Sequence, residues 1–279
     1  METIAGVDGS KGGWLVAITA EWPSVKPTFT LCPTFKHVID ITSERSVIDA
    51  TCKCVICTTS ECCVAVVDMP IGLPNGSSER LCDPQARVAL ADKRIPSPQA
   101  RVFKEPLRSA LHVFDAGNGL TRPQQWTEFQ KTIKDLSGKN PTRQTFDFSA
   151  KVKEVDDAMN PELQQRIVEF HPEPAWKRMA GKVLQSKHKA SGLLQRLKLL
   201  QEIGASWITD LEGDPILADV ALDDLFDAVI GLAVAHDISR HSTPSERANE
   251  LKKDLYLNRF PKGKPEIDEE KQLRMEIWY

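Results

Sequence analysis

The chain has 279 residues, 41% of them hydrophobic and 27% charged, with a formal net charge of −3. That length suits one large domain or two small ones, and the composition is that of a globular protein with an ample core. No stretch approaches the ~20 apolar residues of a membrane span. The start lacks a basic segment followed by an apolar run and a cleavage site, so a cytoplasmic protein without a membrane partner is expected.

Ile4 to Ala17 predicts a short apolar strand, a glycine-rich reversal and a second apolar strand, with Asp8 at the end of the first. Asp-Gly is a common hairpin signal, so Asp8 reads either as a turn residue or as a charge that needs a cation. Thr28 to Leu31 predicts a third strand, and His37 to Ile48 a partly helical stretch. Five of the seven cysteines fall at Cys52, Cys54, Cys57, Cys62 and Cys63. Their order lacks the two separated pairs of a zinc ribbon, and an odd count without a signal argues against a disulfide framework. Reduced thiols near a strand are expected.

Val64 to Val67 reads as a buried parallel strand that ends in Asp68-Met69-Pro70, repeating the pattern of the start. Ser77 or Ser78 would cap a helix running to about Lys93. Prolines make Arg94 to Arg108 irregular, and Asn118 to Arg143 reads as a polar loop with a short helix around Gln124 to Leu136. Lys151 to Met159 suggests a brief strand or helix. Arg166 to Glu173 reads as a strand ending in ionisable residues. Ala190 to Ile203 and Ala221 to Ser239 carry the apolar spacing of amphipathic helices.

Three expected strand ends therefore carry carboxylates, Asp8, Asp68 and Glu173. The last long helix begins with Asp223 and Asp224 and carries Asp227 further on. Asp224 and Asp227, or Asp223 and Asp227, lie on one helix face. Acids at the C-terminal edge of a sheet can converge, and such a cluster suits hard divalent cations, Mg²⁺ or Mn²⁺. Each acid also has a plainer use, as a turn residue, a helix cap or an ion-pair partner. A run of seven basic residues from Lys177 to Lys198, free of acids, could meet phosphates or form a solvated helix face.

Several short motifs now coincide: Val7-Asp8-Gly9-x-x-Gly12-Gly13-Trp14, Asp68-Met69-Pro70-Ile71-Gly72-Leu73-Pro74 and Arg80-x-Cys82-Asp83-x-x-Ala86-Arg87. With them stand Arg101-Val102-Phe103, Gln144-Thr145-Phe146, Glu154-Val155-Asp156, Glu169-x-His171-Pro172-Glu173, Asp223-Asp224-x-x-Asp227-Ala228 and the closing Glu276-Ile277-Trp278-Tyr279. Together they resemble the domain of unknown function 429 family, whose members are described as RNase H-like nucleases related to Holliday-junction resolvases. The resemblance covers nearly the whole chain. It implies an RNase H-like α/β fold: a mixed sheet with its first three strands antiparallel, flanked by helices and carrying a large insertion. On that reading residues 1–279 are one domain, with an insertion at about 75–160 and a docking tail at about 241–279. The resemblance also implies that Asp8, Asp68, Asp224 and Asp227 hold the metals, with Glu173 an additional family-typical acid. The cysteine tract and Lys104-Glu105 depart from the family pattern.

The leading expectation is thus a metal-dependent phosphodiesterase acting on nucleic acid. Glu173 or His171 would orient water or take a proton, and Arg80, Arg87, Arg101, Lys187 and Lys189 would contact phosphate. Two other classes remain open: an ATPase or phosphotransferase of the actin and sugar-kinase type, and a metal- or ligand-binding protein without turnover.

Overall fold

A computed structural model describes residues 3–43, 63–76, 79–211, 213–241 and 258–279. Its centre is a five-stranded mixed sheet in the order β3-β2-β1-β4-β5. The strands are β1 (Ile4–Ser10), β2 (Gly13–Thr19), β3 (Thr28–Cys32), β4 (Val64–Val67) and β5 (Ile167–Glu169). β1, β2 and β3 pair antiparallel, whereas β4 runs parallel to β1 and β5 parallel to β4. The apolar residues of these strands alternate between two cores, as a period-2 pattern requires when both faces are covered. Ile4, Leu15, Val64, Val66 and Val168 point to one core, and Ala5, Val7, Trp14, Val16 and Val67 to the other.

The first core is closed by α5 (Pro172–Ala180), α6 (Ala190–Glu202) and α7 (Leu222–His241). The second lies under α1 (Phe35–Ile41) and α4 (Arg143–Ala158). α7 rests directly on the central strand. A side chain at Gly6 would place its Cβ 2.0 Å from the Ala228 carbonyl oxygen, and one at Gly231 would meet the Gly6 Cα at 3.0 Å. Two glycines therefore let helix and strand backbones touch.

The region between β4 and β5 is more helical than its polarity suggests. α2 spans Cys82–Ala89, shorter than the helix expected up to Lys93, and the expected caps Ser77 and Ser78 lie outside the described residues. The short helix expected around Gln124 to Leu136 is the sixteen-residue α3 (Arg122–Ser137), two residues longer at its start and one at its end. Thr121 and Gln124 form its capping box, and Gly138 closes it at φ +69°. Lys151 to Ala158 is the end of α4, which begins eight residues earlier behind the Thr142 cap and is closed by Met159. Phe146, Ser149, Val152 and Val155 are its buried stripe.

The candidate strand at Arg166 to Glu173 is strand only to Glu169. Pro172 cannot donate to a ladder and opens α5 instead, so Glu173 lies in a first helical turn and not at a strand end. The strand-end carboxylate there is Glu169. Leu222, the first residue of α7, is exposed. Near the C-terminus, β6 (Arg259–Phe260) pairs with β9 (Ile277–Trp278), and β7 (Glu266–Ile267) with β8 (Arg274–Met275). Trp278 bridges to Phe170 and joins the first core. Cys52 to Cys62 lie outside the described residues, and Cys63 is buried just before β4. Among the described residues no helix is long and apolar enough to cross a membrane.

Candidate functional site

Strand register brings the first two acids together. Val7 of β1 pairs with Val67 of β4, and the Asp68 amide donates to the Val7 carbonyl at 3.0 Å. Asp8 and Asp68 are thus the next residues along adjacent parallel strands. Asp8 is buried and accepts from the Gly9 amide at 2.7 Å, while Asp68 is partly exposed.

α7 adds the others. Asp227 is 1% exposed and accepts from the Trp176 indole at 2.9 Å and from Lys187 Nζ at 2.6 Å. Lys187 also stands 3.4 Å from Asp223. Asp223 and Asp224 occupy the first turn of α7, where the helix dipole favours negative charge. All four expected acids, Asp8, Asp68, Asp224 and Asp227, line one cavity of about 700 Å³.

The cluster is incompletely neutralised. Desolvation, then the charges of Asp68 and Asp227, push the Asp8 carboxyl well above the usual carboxylate range. Desolvation and Asp227 do the same to Asp68, and burial and Asp223 raise Asp224. Lys187 answers part of this charge. Burial alone would lower its ammonium, but Asp227, Asp8 and Asp68 outweigh that and hold it raised.

The remaining expected residues are placed differently. Arg80 is a buried structural cation: it forks onto Asp83 at 2.8–2.9 Å and onto Glu169 at 2.7–2.8 Å. A guanidinium so satisfied has little left for a phosphate. Arg87 pairs with Glu79 and donates to the Val102 carbonyl. Arg101 pairs with Glu173 at 2.7 Å and donates to the Leu184 carbonyl. The other Glu173 oxygen accepts from buried Arg196 at 2.5 Å, so Glu173 is clamped by two arginines. His171 caps α5, its Nδ1 accepting from the Glu173 amide at 3.2 Å. Desolvation pushes its imidazole down to about 4, so it is neutral at physiological pH and does not titrate there as expected. Lys189 is exposed at the start of α6 and does not line the cavity.

Sequence reasoning passed over four residues here. Glu169 extends the row of strand ends, with burial, partly offset by Arg80, raising it to about 7. Its signal was the carboxylate closing an Ile-Val run. Trp176 lies one helical turn after Glu173, a spacing that marks a shared face. Lys151 donates to the Gly13 carbonyl and sits 4.6 Å over the Trp14 ring. Nothing local marks Arg196 as buried; only its distant partner explains it.

Among the described residues no three ligating side chains are set to hold a metal ion, and Lys187 is the cation beside Asp227. The donor set is nevertheless all oxygen, and carboxyls held that high signal positive charge in deficit. By donor chemistry it fits a hard divalent cation.

A family model described as a protein of unknown function, DUF429, matches residues 6–249. No curated protein and no solved structure matches the chain.

Proposed function

Because the chain belongs to the DUF429 family, and because four carboxylates from three distant segments converge in one open cavity, we propose that it is a divalent-metal-dependent nuclease. The observation that carries this reading is the placement of Asp8, Asp68, Asp224 and Asp227 on one cavity, where Lys187 is the lysine paired with Asp227. An RNase H-like fold agrees with the strand order, with three antiparallel strands followed by two parallel ones, and with acids on β1, just after β4 and on the helix laid across β1. Asp8, Asp68, Asp224 and Asp227 would hold Mg²⁺ or Mn²⁺. The bound metal would supply Lewis-acid charge at the phosphoryl oxygen and a more acidic water.

The chain's own groups then have separate tasks. Lys187 carries a positive charge into the cavity wall, where a phosphate oxygen would meet it. The Trp176 indole fixes one Asp227 oxygen and leaves the carboxylate a single orientation. Glu173 positions rather than reacts: between Arg101 and Arg196 it ties the loop bearing Lys187 to α5. The arginines Arg80 and Arg101 brace the cavity through Glu169 and Glu173.

The test is cleavage of single-stranded, duplex and branched DNA and RNA with Mg²⁺ or Mn²⁺, with ATP hydrolysis measured in parallel. Metal-dependent cleavage abolished by Asp8→Asn is the expected result. Cleavage that survives Asp8→Asn, or ATP turnover without cleavage, would overturn the reading.

A further inference from the structure

Besides the acids, the cavity is lined by an aromatic pair that hydrolysis does not explain. Phe103 and Phe148 both line it, with ring centroids 6.1 Å apart and planes inclined by 33°. Phe103 is 44% exposed, an unusual place for a phenylalanine inside a concave wall. On α4, Gln144, Asp147, Phe148 and Lys151 recur at helical spacing and all face the cavity, while Phe146, Ser149 and Val152 face the core.

The wall is held rigidly. Arg87 donates to the Val102 and Phe103 carbonyls, and the Thr145 hydroxyl donates to the Lys104 carbonyl at 3.4 Å. Glu105 is buried and accepts from the Arg80 amide. These bonds tie the backbone around Phe103 to α2 and to α4, the helix that carries Phe148, which lowers the ordering cost of binding. Gln144, exposed at the same edge, carries both a donor and an acceptor for a heterocycle.

The geometry points to Phe103 and Phe148 as a stacking platform for an unpaired nucleobase, with Gln144 at its edge, so that the substrate is a strand whose base is splayed out of any duplex. This rests on the nuclease reading of the neighbouring acids. Aromatic faces accept any base, so the platform would confer a preference for single-stranded or unpaired segments over sequence. A duplex keeps its bases stacked inside and offers the wall nothing.

The test uses the full chain with Ca²⁺, measuring binding of a twelve-nucleotide oligothymidylate with a central 2-aminopurine. The comparison probes are the same strand abasic at that position, its duplex, and free thymidine monophosphate. Wild type is expected to prefer the intact single strand over the abasic one by about ten-fold, as one base–aromatic stack implies. Phe103→Ala and Phe148→Ala should remove that preference and the 2-aminopurine quenching, and Phe103→Trp should restore both. Equal affinity for intact and abasic strands, no binding of any probe, or equal weakening by Phe103→Ala and Phe103→Trp would overturn the platform. Monophosphate binding as tight as the strand, and lost in Phe103→Ala, would overturn the strand as substrate and assign the aromatic pair to a free nucleotide. The readout needs no turnover, so base-dependent binding without cleavage under any metal fells the nuclease reading alone. Cleavage indifferent to the base fells the platform alone.

Discussion

Lys187 Nζ lies 2.6 Å from Asp227 Oδ2, so the most deeply buried acid of the cluster is neutralised by a loop residue forty positions away. The pair is one-sided in exposure, the lysine side chain 26% accessible and the aspartate side chain 2%. Asp227 has no other cation within ion-pairing distance among the described residues, and the Trp176 indole can satisfy only one of its oxygens.

Lys187→Met should therefore leave Asp227 buried and uncompensated. Breaking such a pair from one side costs about 3–5 kcal/mol, toward the lower end here because the lysine is partly solvated. Under the metal reading, Mg²⁺ should stabilise the variant more than wild type. Thermal melts with and without Mg²⁺ check this, and an unchanged melting temperature with no gain from metal would contradict it.

Asp8→Asn separates stability from function. The Asp8 carboxyl is raised in the folded state, so its contribution is fully present below about pH 4 and is lost as pH rises through the folded value. Removing the charge should make the metal-free variant more stable than wild type at pH 8. Cleavage, if the proposal holds, should fall on the order of 100-fold or more. A variant destabilised at pH 8 would refute the electrostatic account.

Glu105 is a third lever. Burial and Asp83 push its carboxyl up to about 9, so it stands protonated at neutral pH beside Asp83, which Arg80 holds low against the pull of burial. Its folded value exceeds the unfolded one, so stability declines as pH rises from about 4.5 toward 9. Glu105→Gln keeps a neutral donor in place. The slope of unfolding free energy against pH should flatten by up to about 1.4 kcal/mol per pH unit across that window. Urea titrations at pH 5, 7 and 9 measure it.

Gly6→Ala tests how the acids are brought together. The new methyl would sit 2.0 Å from the Ala228 carbonyl, backbone that cannot rotate away, so α7 must lift from β1. Overpacking of this kind costs ~1–3 kcal/mol or more, and it would carry Asp227 away from Asp8. Loss of stability together with loss of any metal-dependent cleavage is expected. A fully active, equally stable variant would show that the contact does not set the site.

Asp8, Asp68 and Asp227 were legible because each interrupts an apolar pattern at a place where a charge needs an answer. The central sheet was legible for the same reason, from short β-branched runs bounded by turn residues. α3 was legible only as a short helix inside a polar stretch, since Trp126, Phe129 and Ile133 are the sparse positions it turns to a core and polar residues fill most of the rest. Glu173 was mistaken for the strand-end acid because Pro172 shifts the chain from strand to helix within two residues. The fate of Arg80 was hidden for a different reason. Whether a guanidinium meets a phosphate or a buried carboxylate depends on Glu169, eighty-nine positions away, and no local pattern carries that information.

The contact of Gly6 with Ala228 also orders events during synthesis. The β1–β2 hairpin can form as soon as it leaves the ribosome, yet the helix that completes the acidic cluster emerges last among the large elements. At ribosomal speeds, roughly ten to forty seconds separate Asp8 from Asp227. Until then Asp8 and Asp68 face water without α7 above them, where their charge is cheap. A chain cut short before α7 would have a sheet edge without a site, so release of a truncated product would set free no active fragment.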